Sequence, residues 1–116
     1  MWDVEYTDEF GKWWESLTEA EQIDVAAVVD LLAERGTSLR FPFSSGIEGS
    51  KLSHLRELRI QHAGDPYRVL YAFDPRRCAI LLLGGNKVGD KRWYENHIPI
   101  AEKLYQAHLS EIEQEN

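Results

Sequence analysis

Between Leu55 and Leu83 the chain carries three apolar runs, LRELRIQ, YRVLYAF and CAILLL, joined by the short polar segments HAGDP and DPRR. In the first run Leu58 and Ile60 alternate with Glu57, Arg59 and Gln61. In the second, Tyr67, Val69, Tyr71 and Phe73 alternate with Arg68, Leu70 and Ala72. Period two is the signature of a strand with two different faces, and the unbroken run from Cys78 to Leu83 suits a strand covered on both. Asp, Pro and Gly in the connections are turn chemistry, and Pro75 fits the second position of a type I turn. Parallel neighbours need a crossover of a dozen residues or more, so connections this short imply an antiparallel meander. Gly84 and Gly85 read as the end of its last strand.

The flanking segments read as follows. Trp2, Val4 and Tyr6 alternate with Asp3 and Glu5, which predicts a short strand. Thr7 before Asp8 and Glu9 is a helix start, and Phe10, Trp13, Trp14 and Leu17 fall on one helical face, with Gly11 keeping that helix short. Thr18 and Glu21 form a capping box ahead of the stripe Val25, Val28, Val29 and Leu32, and Gly36 is a stop. A helical hairpin over Thr7 to Arg35 is therefore expected. Thr37 to His54, with Pro42, Gly46 and Gly49, reads as a long irregular connection, a kind that is often functional or mobile. Asn86 to His97 is polar and aromatic, with a short helical turn after Asp90. Pro99 would open a last helix with Ala101, Leu104, Tyr105 and His108 on its inner face, and Glu111 to Asn116 would fray. The expected fold is α+β: the hairpin packs on one face of a small antiparallel sheet, and Glu57, Arg59 and Arg68 line an open opposite face.

A length of 116 residues suits one domain, 1–116, with one core. No apolar run approaches the roughly 18 residues of a membrane span. The lone Cys78 excludes an internal disulfide and fits a reducing, cytoplasmic setting. The net charge of -7 argues against tight, non-specific binding to bare nucleic acid. Positive charge is nonetheless concentrated between Lys51 and Arg92.

The sequence does not point to a metal or a cofactor. His54, His62, His97 and His108 lack ligand spacing, and Cys78 has no companion. GGNKVGDK fails as a phosphate loop, because Asp90 stands where lysine is needed. What remains is a cationic and aromatic group: Arg59, Arg68, Lys87, Lys91, Arg92, Trp93, Tyr94 and His97. Such a set can hold a phosphodiester and neutralise the charge that grows on it during cleavage. Trp93 or Tyr94 could stack on an unpaired base, and Tyr94 or His97 could move protons while RNA supplies its own 2′-OH. The same residues also admit plain structural roles. Arg59 and Arg68 could pair with Glu57, Trp93 and Tyr94 could cover the sheet, and Lys87, Lys91 and Arg92 could form a solvated loop.

The ordered segments LRELRI, YRVLYAFDP, LLLGGNKVGD and IPIAEKLYQAHL resemble the phage-derived, HigB-like branch of the RelE/ParE toxin superfamily. The resemblance is clear over Leu55 to Leu109 and looser over the hairpin. It implies a RelE-like fold and a ribosome-dependent mRNA endonuclease that needs no metal. It also implies a helix-turn-helix antitoxin as partner, beside the ribosome and mRNA. Arg59, Arg68, Lys87 and Tyr94 fall on or near the family's functional positions. In the nuclease that this implies, Arg59 and Arg68 would clamp the scissile phosphate, Lys87 would help orient or activate it, and Tyr94 or His97 would stack or transfer protons. Arg76, Arg77, Lys91 and Arg92 would touch the RNA backbone, and Trp93 would stack. Where RelE is more basic on the strand holding Arg59, this chain has Glu57. Two alternatives share the fold: a ParE-like DNA gyrase poison without nuclease activity, and a non-catalytic antitoxin-binding module.

Overall fold

The computed structural model describes residues 1–51 and 54–115. Its elements are β1 (Val4–Tyr6), α1 (Asp8–Ser16), α2 (Glu19–Arg35), a 3₁₀ turn (Gly36–Ser38), β2 (Ser44–Gly46), β3 (Arg56–His62), β4 (Asp65–Phe73), β5 (Ala79–Asn86) and α3 (Trp93–Glu115). The strands form one sheet in the order β1-β5-β4-β3-β2. The meander β3-β4-β5 is antiparallel, as the short turns required. Ala63 and Gly64, both at positive φ, close its first hairpin. The sheet as a whole is mixed, because β1 lies parallel to β5 with Val4 opposite Ala79. All of α1, α2, β2, β3 and β4 lies between them along the chain, far more than the crossover a parallel pair demands.

Both helix starts follow from the sequence. The Thr7 side chain accepts from the Phe10 N–H, and Thr18 and Glu21 complete a reciprocal capping box. Glu21 also accepts a 2.5 Å hydrogen bond from the Tyr67 hydroxyl, which ties the start of α2 to β4. The hairpin buries Phe10, Val25, Val28 and Leu32 against Leu58, Ile60, Tyr67, Val69, Tyr71 and Leu81. Each side chain buried there is worth about 1.5–3 kcal/mol.

The opposite face is not open. Leu70, Ala72, Ile80 and Leu82 point that way, and α3 covers them with Trp93, Ile98, Ala101 and Tyr105. Four apolar side chains on one sheet face, two from β4 and two from β5, need a cover, and Glu57, Arg59 and Arg68 occupy only one end of that face. To provide it, α3 begins at Trp93 rather than Pro99 and runs 23 residues with Pro99 inside. Pro99 lacks the N–H that would reach back one turn, and the anchoring of Trp93 and Ile98 on one side and Ala101 and Tyr105 on the other holds the helix through that gap. The acidic tail stays helical through Glu115, and Asn116 lies outside the described residues.

Two further corrections concern the loop and the last strand. The stretch from Thr37 to His54 contains the edge strand β2, whose Ser44, Ser45 and Gly46 pair with Leu58, Glu57 and Arg56. Leu52 and Ser53 of that stretch lie outside the described residues. Gly84 and Gly85 do not end β5, which continues to Asn86 opposite Tyr67. They are where two tryptophans approach the strand. A Cβ on Gly84 would stand 2.4 Å from the Trp13 ring, and one on Gly85 would stand 2.8 Å from the Trp93 indole nitrogen. A Gly84→Ala protein is therefore expected to lose about 1–3 kcal/mol through forced displacement of Trp13, measurable as a lower midpoint in urea at unchanged slope.

Candidate active site

The alternation in β3 and β4 sends Glu57, Arg59 and Arg68 to the α3 side, and the register sets Arg59 directly opposite Arg68. Two like charges in that position repel, and Glu57 resolves the conflict. One carboxylate oxygen lies 3.4 Å from Arg68 Nε and accepts a 2.5 Å hydrogen bond from the Tyr94 hydroxyl. The other oxygen lies 3.3 Å from Arg59 Nη1 and accepts from Ser45 Oγ at 2.8 Å. Glu57 and Arg68 are 5% and 4% exposed, so this is a buried ion pair with its remaining valences filled. Arg68 also donates to the Tyr67 carbonyl at 2.9 Å and, through Nε, to the Tyr94 oxygen at 3.3 Å. The pairing with Glu57, one of the readings left open above, is thus what both arginines do.

Tyr94 is brought in by the first turn of α3, while Lys87 follows the last residue of β5. The Lys87 ammonium lies 5.6 Å from the centre of the Tyr94 ring. Burial, and then the hydrogen bond to Glu57, raise the Tyr94 pKa above its ordinary value, so the phenol stays protonated as a donor at neutral pH. Arg59, Arg68 and Lys87 thus surround one carboxylate and one phenol, which makes a local positive centre on an acidic protein.

The other sequence-predicted residues fall outside this cluster. Trp93 is 3% exposed. His97 stacks on its ring at 4.4 Å, and Gly85 packs against it, so the indole is not offered to a base. The His97 Nδ1 is 2.7 Å from the Trp93 carbonyl, one helical turn back. Lys91 is exposed, and Arg92 pairs with Glu95 at 2.8 Å. Arg76 and Arg77 sit in the β4–β5 turn, on the order of 20 Å from Arg68 by the rise of a strand. Arg76 binds Asp74 at 2.6 Å and Glu5 at 3.0 Å, and Arg77 covers the Trp2 ring at 4.9 Å.

Asp74 anchors that far end. Burial alone would raise its pKa, but hydrogen bonds from Arg76, His108 and the Cys78 N–H outweigh burial and hold it below the ordinary value. Cys78 beside it is pushed up to about 11, by burial first and then by Glu5 and Asp74. It is therefore a packed thiol rather than a nucleophile. No group of three or more His, Cys, Asp or Glu side chains is arranged to hold a metal among the described residues. One member of the cluster, Ser45, was not anticipated from the sequence. Glu57 was legible as a carboxylate facing Arg59, but Ser45 lies in a stretch without strand periodicity and gave no signal.

The five-stranded sheet between a helical hairpin and a long helix defines a RelE-type fold. It matches RelE in the crystal structure of the archaeal RelE–RelB complex from Pyrococcus horikoshii OT3 with a TM-score of 0.55 and 24% identity, over 77% of this chain and 97% of that one. Residues 12–106 match the family described as phage-derived Gp49-like proteins (DUF891). The chain is 43% identical over 93 residues to HigB3 of Mycobacterium tuberculosis (strain ATCC 25618 / H37Rv), covering 79% of this chain and 80% of HigB3. It is 37% identical over 91 residues to HigB2 of the same strain, covering 77% of this chain and 45% of HigB2. Both relatives are designated toxins. The chain belongs to the phage-derived Gp49-like family and is a HigB-like member of it, with a RelE-like fold.

Two outcomes are expected. Glu57→Ala leaves Arg68 buried without its partner and should cost about 3–5 kcal/mol in denaturant unfolding. Asp74, with a lowered native pKa, contributes stability that is complete above about pH 3.9 and is lost as pH falls through the native value. An Asp74→Asn protein should therefore melt lower at neutral pH and show a weaker loss of melting temperature below about pH 4.

Proposed function

We propose that the protein is the toxin of a type II toxin–antitoxin pair and cleaves mRNA on the ribosome in the cytoplasm, using the 2′-OH of the RNA as nucleophile. The observation that carries this reading is the cluster itself: Arg59 and Arg68 hold the Glu57 carboxylate, which accepts a hydrogen bond from the protonated Tyr94 phenol, and Lys87 lies over the Tyr94 ring. In the cleavage, the 2′-oxygen bonds to phosphorus and the bond to the 5′-oxygen breaks, leaving a cyclic phosphate and a 5′-hydroxyl. The 2′-OH proton passes to the Tyr94 oxygen as the Tyr94 proton moves onto Glu57 along their 2.5 Å bond, and the departing 5′-oxygen takes a proton from solvent. Arg59 and Lys87, both partly exposed, meet the phosphate and offset the charge that builds on it. Arg68 is too buried to reach substrate and acts as a positioning residue that fixes Glu57 and Tyr94.

Exposed Lys91 and Arg92, next to this cluster along the chain, suit RNA backbone contacts. His97, the alternative to Tyr94 as proton carrier, stacks on Trp93 outside the cluster and has no part in this step. Arg76 and Arg77 lie at the far end of the sheet, suited at most to a more distant ribosomal contact. The partner in this reading is an antitoxin, expected from the sequence to be a helix-turn-helix protein; the RelE–RelB complex supports pairing of this fold with one.

Purified protein added to translating ribosomes should cut mRNA at positions that primer extension maps. Arg59→Ala and Tyr94→Phe should each slow cutting by about 10²–10⁴-fold while remaining folded by circular dichroism. Intact mRNA together with trapped gyrase–DNA breaks would replace this reading with the gyrase-poison alternative. Parent-like cutting by both variants would remove the cluster from the mechanism.

A further inference from the structure

Phe41 is 71% exposed, an uncommon position for a phenylalanine ring. Its backbone is not loose. The Phe43 and Ser44 N–H groups both bond the Arg40 carbonyl, at 3.0 and 3.1 Å, and Arg59 N–H bonds the Phe43 carbonyl at 2.9 Å. The turn is thereby pinned to β3, and the ring is presented at a fixed place. The Arg59 guanidinium lies 5.1 Å from the centre of that ring, and its Nη1 lies 3.3 Å from Glu57. One arginine thus connects an exposed aromatic face to the carboxylate–phenol pair.

Of the other aromatics near the cluster, Phe43 is 37% exposed, about half as open as Phe41, and the remaining two are committed. Trp93 is buried between His97 and Gly85, and Tyr94 is half-buried with Lys87 over its ring. Tyr6 is also well exposed, but it lies on β1, at the other edge of the sheet from β2.

We propose that Phe41 and Arg59 form a stacking subsite for one unpaired nucleobase of the RNA, beside the bond to be cut. This rests on the nuclease reading above and names how its substrate is held. A ring without hydrogen-bonding groups accepts any base by its π-face. The adjacent guanidinium adds a cation–π contact and reaches the neighbouring phosphate. The subsite therefore fixes where the strand lies and tolerates all four bases.

The test is cleavage of ribosome-bound synthetic mRNAs in which each nucleotide around the cut site is in turn made abasic. Phe41→Ala should raise KM about tenfold, with Phe41→Trp and Phe41→Tyr restoring it. One abasic position should raise KM by a similar factor for the parent and add little for Phe41→Ala, because both changes remove the same contact. Additive losses at every position would overturn the subsite, since a ring that merely steadies Arg59 does not depend on the base. Parent-like KM for Phe41→Ala would overturn it too and leave the nuclease reading standing. If Phe41→Ala cuts normally but escapes its antitoxin, the ring is a protein-docking residue and the proposal fails. If the parent cuts no mRNA, the nuclease reading is what fails. Saturable quenching of the Phe41→Trp protein by a short single-stranded RNA would then still support the subsite, and unchanged fluorescence would end it.

Discussion

The carboxylate of Glu57 is the contact on which the rest of the site depends. Four groups from four elements meet on its two oxygens: Ser45 from β2, Arg59 from β3, Arg68 from β4 and Tyr94 from α3. Two arginines placed opposite each other in a sheet cannot share a buried edge without an anion between them. A buried carboxylate in turn costs several kcal/mol of lost hydration unless its lone pairs are filled. Each charge therefore makes the others tolerable, and the phenol becomes part of that settlement. Among the described residues no buried side-chain nitrogen or oxygen lacks a partner, so this polar end of the core is satisfied rather than strained.

Much of the fold could be read directly from residue order. Leu58, Ile60, Tyr67, Val69 and Tyr71 sort by period two onto the hairpin face, and the run from Cys78 to Leu83 is buried on both sides. The helix caps at Thr7 and Thr18 are local chemistry and fall where local rules place them. What was not legible is what depends on distant partners. Nothing in VEY says that it will lie parallel to β5, and three residues of SSG carry too little pattern to announce an edge strand. Pro99 misleads for a similar reason. Its local preference is for a first turn, while packing of Trp93 and Ile98 onto β5 begins the helix earlier.

The site was legible in its chemistry and less so in its assignments. Arg59, Arg68, Lys87 and Tyr94 do come together, because strand register and the turn into α3 bring them there. Trp93 has the composition of a stacking residue but the position of a wedge, since its neighbour Gly85 leaves room only for the indole itself. Exposure decides between those roles, and exposure is a property of tertiary packing. Conversely, Phe41 carries no sequence signal, yet it is the aromatic left in water beside Arg59.

The parallel pairing of β1 with β5 also governs the order in which the protein can be completed. Val4 meets Ala79, and the Thr7 hydroxyl bonds the Leu82 carbonyl 75 residues away. Contacts of such long range form late, after the intervening chain has paid its closure entropy. During synthesis, β1 has no partner strand until β5 has emerged, and Glu57 has no phenol until α3 begins to follow it. An amino-terminal fragment that stops before α3 therefore lacks an assembled site. The cluster comes into being only once the chain has reached the first turn of α3.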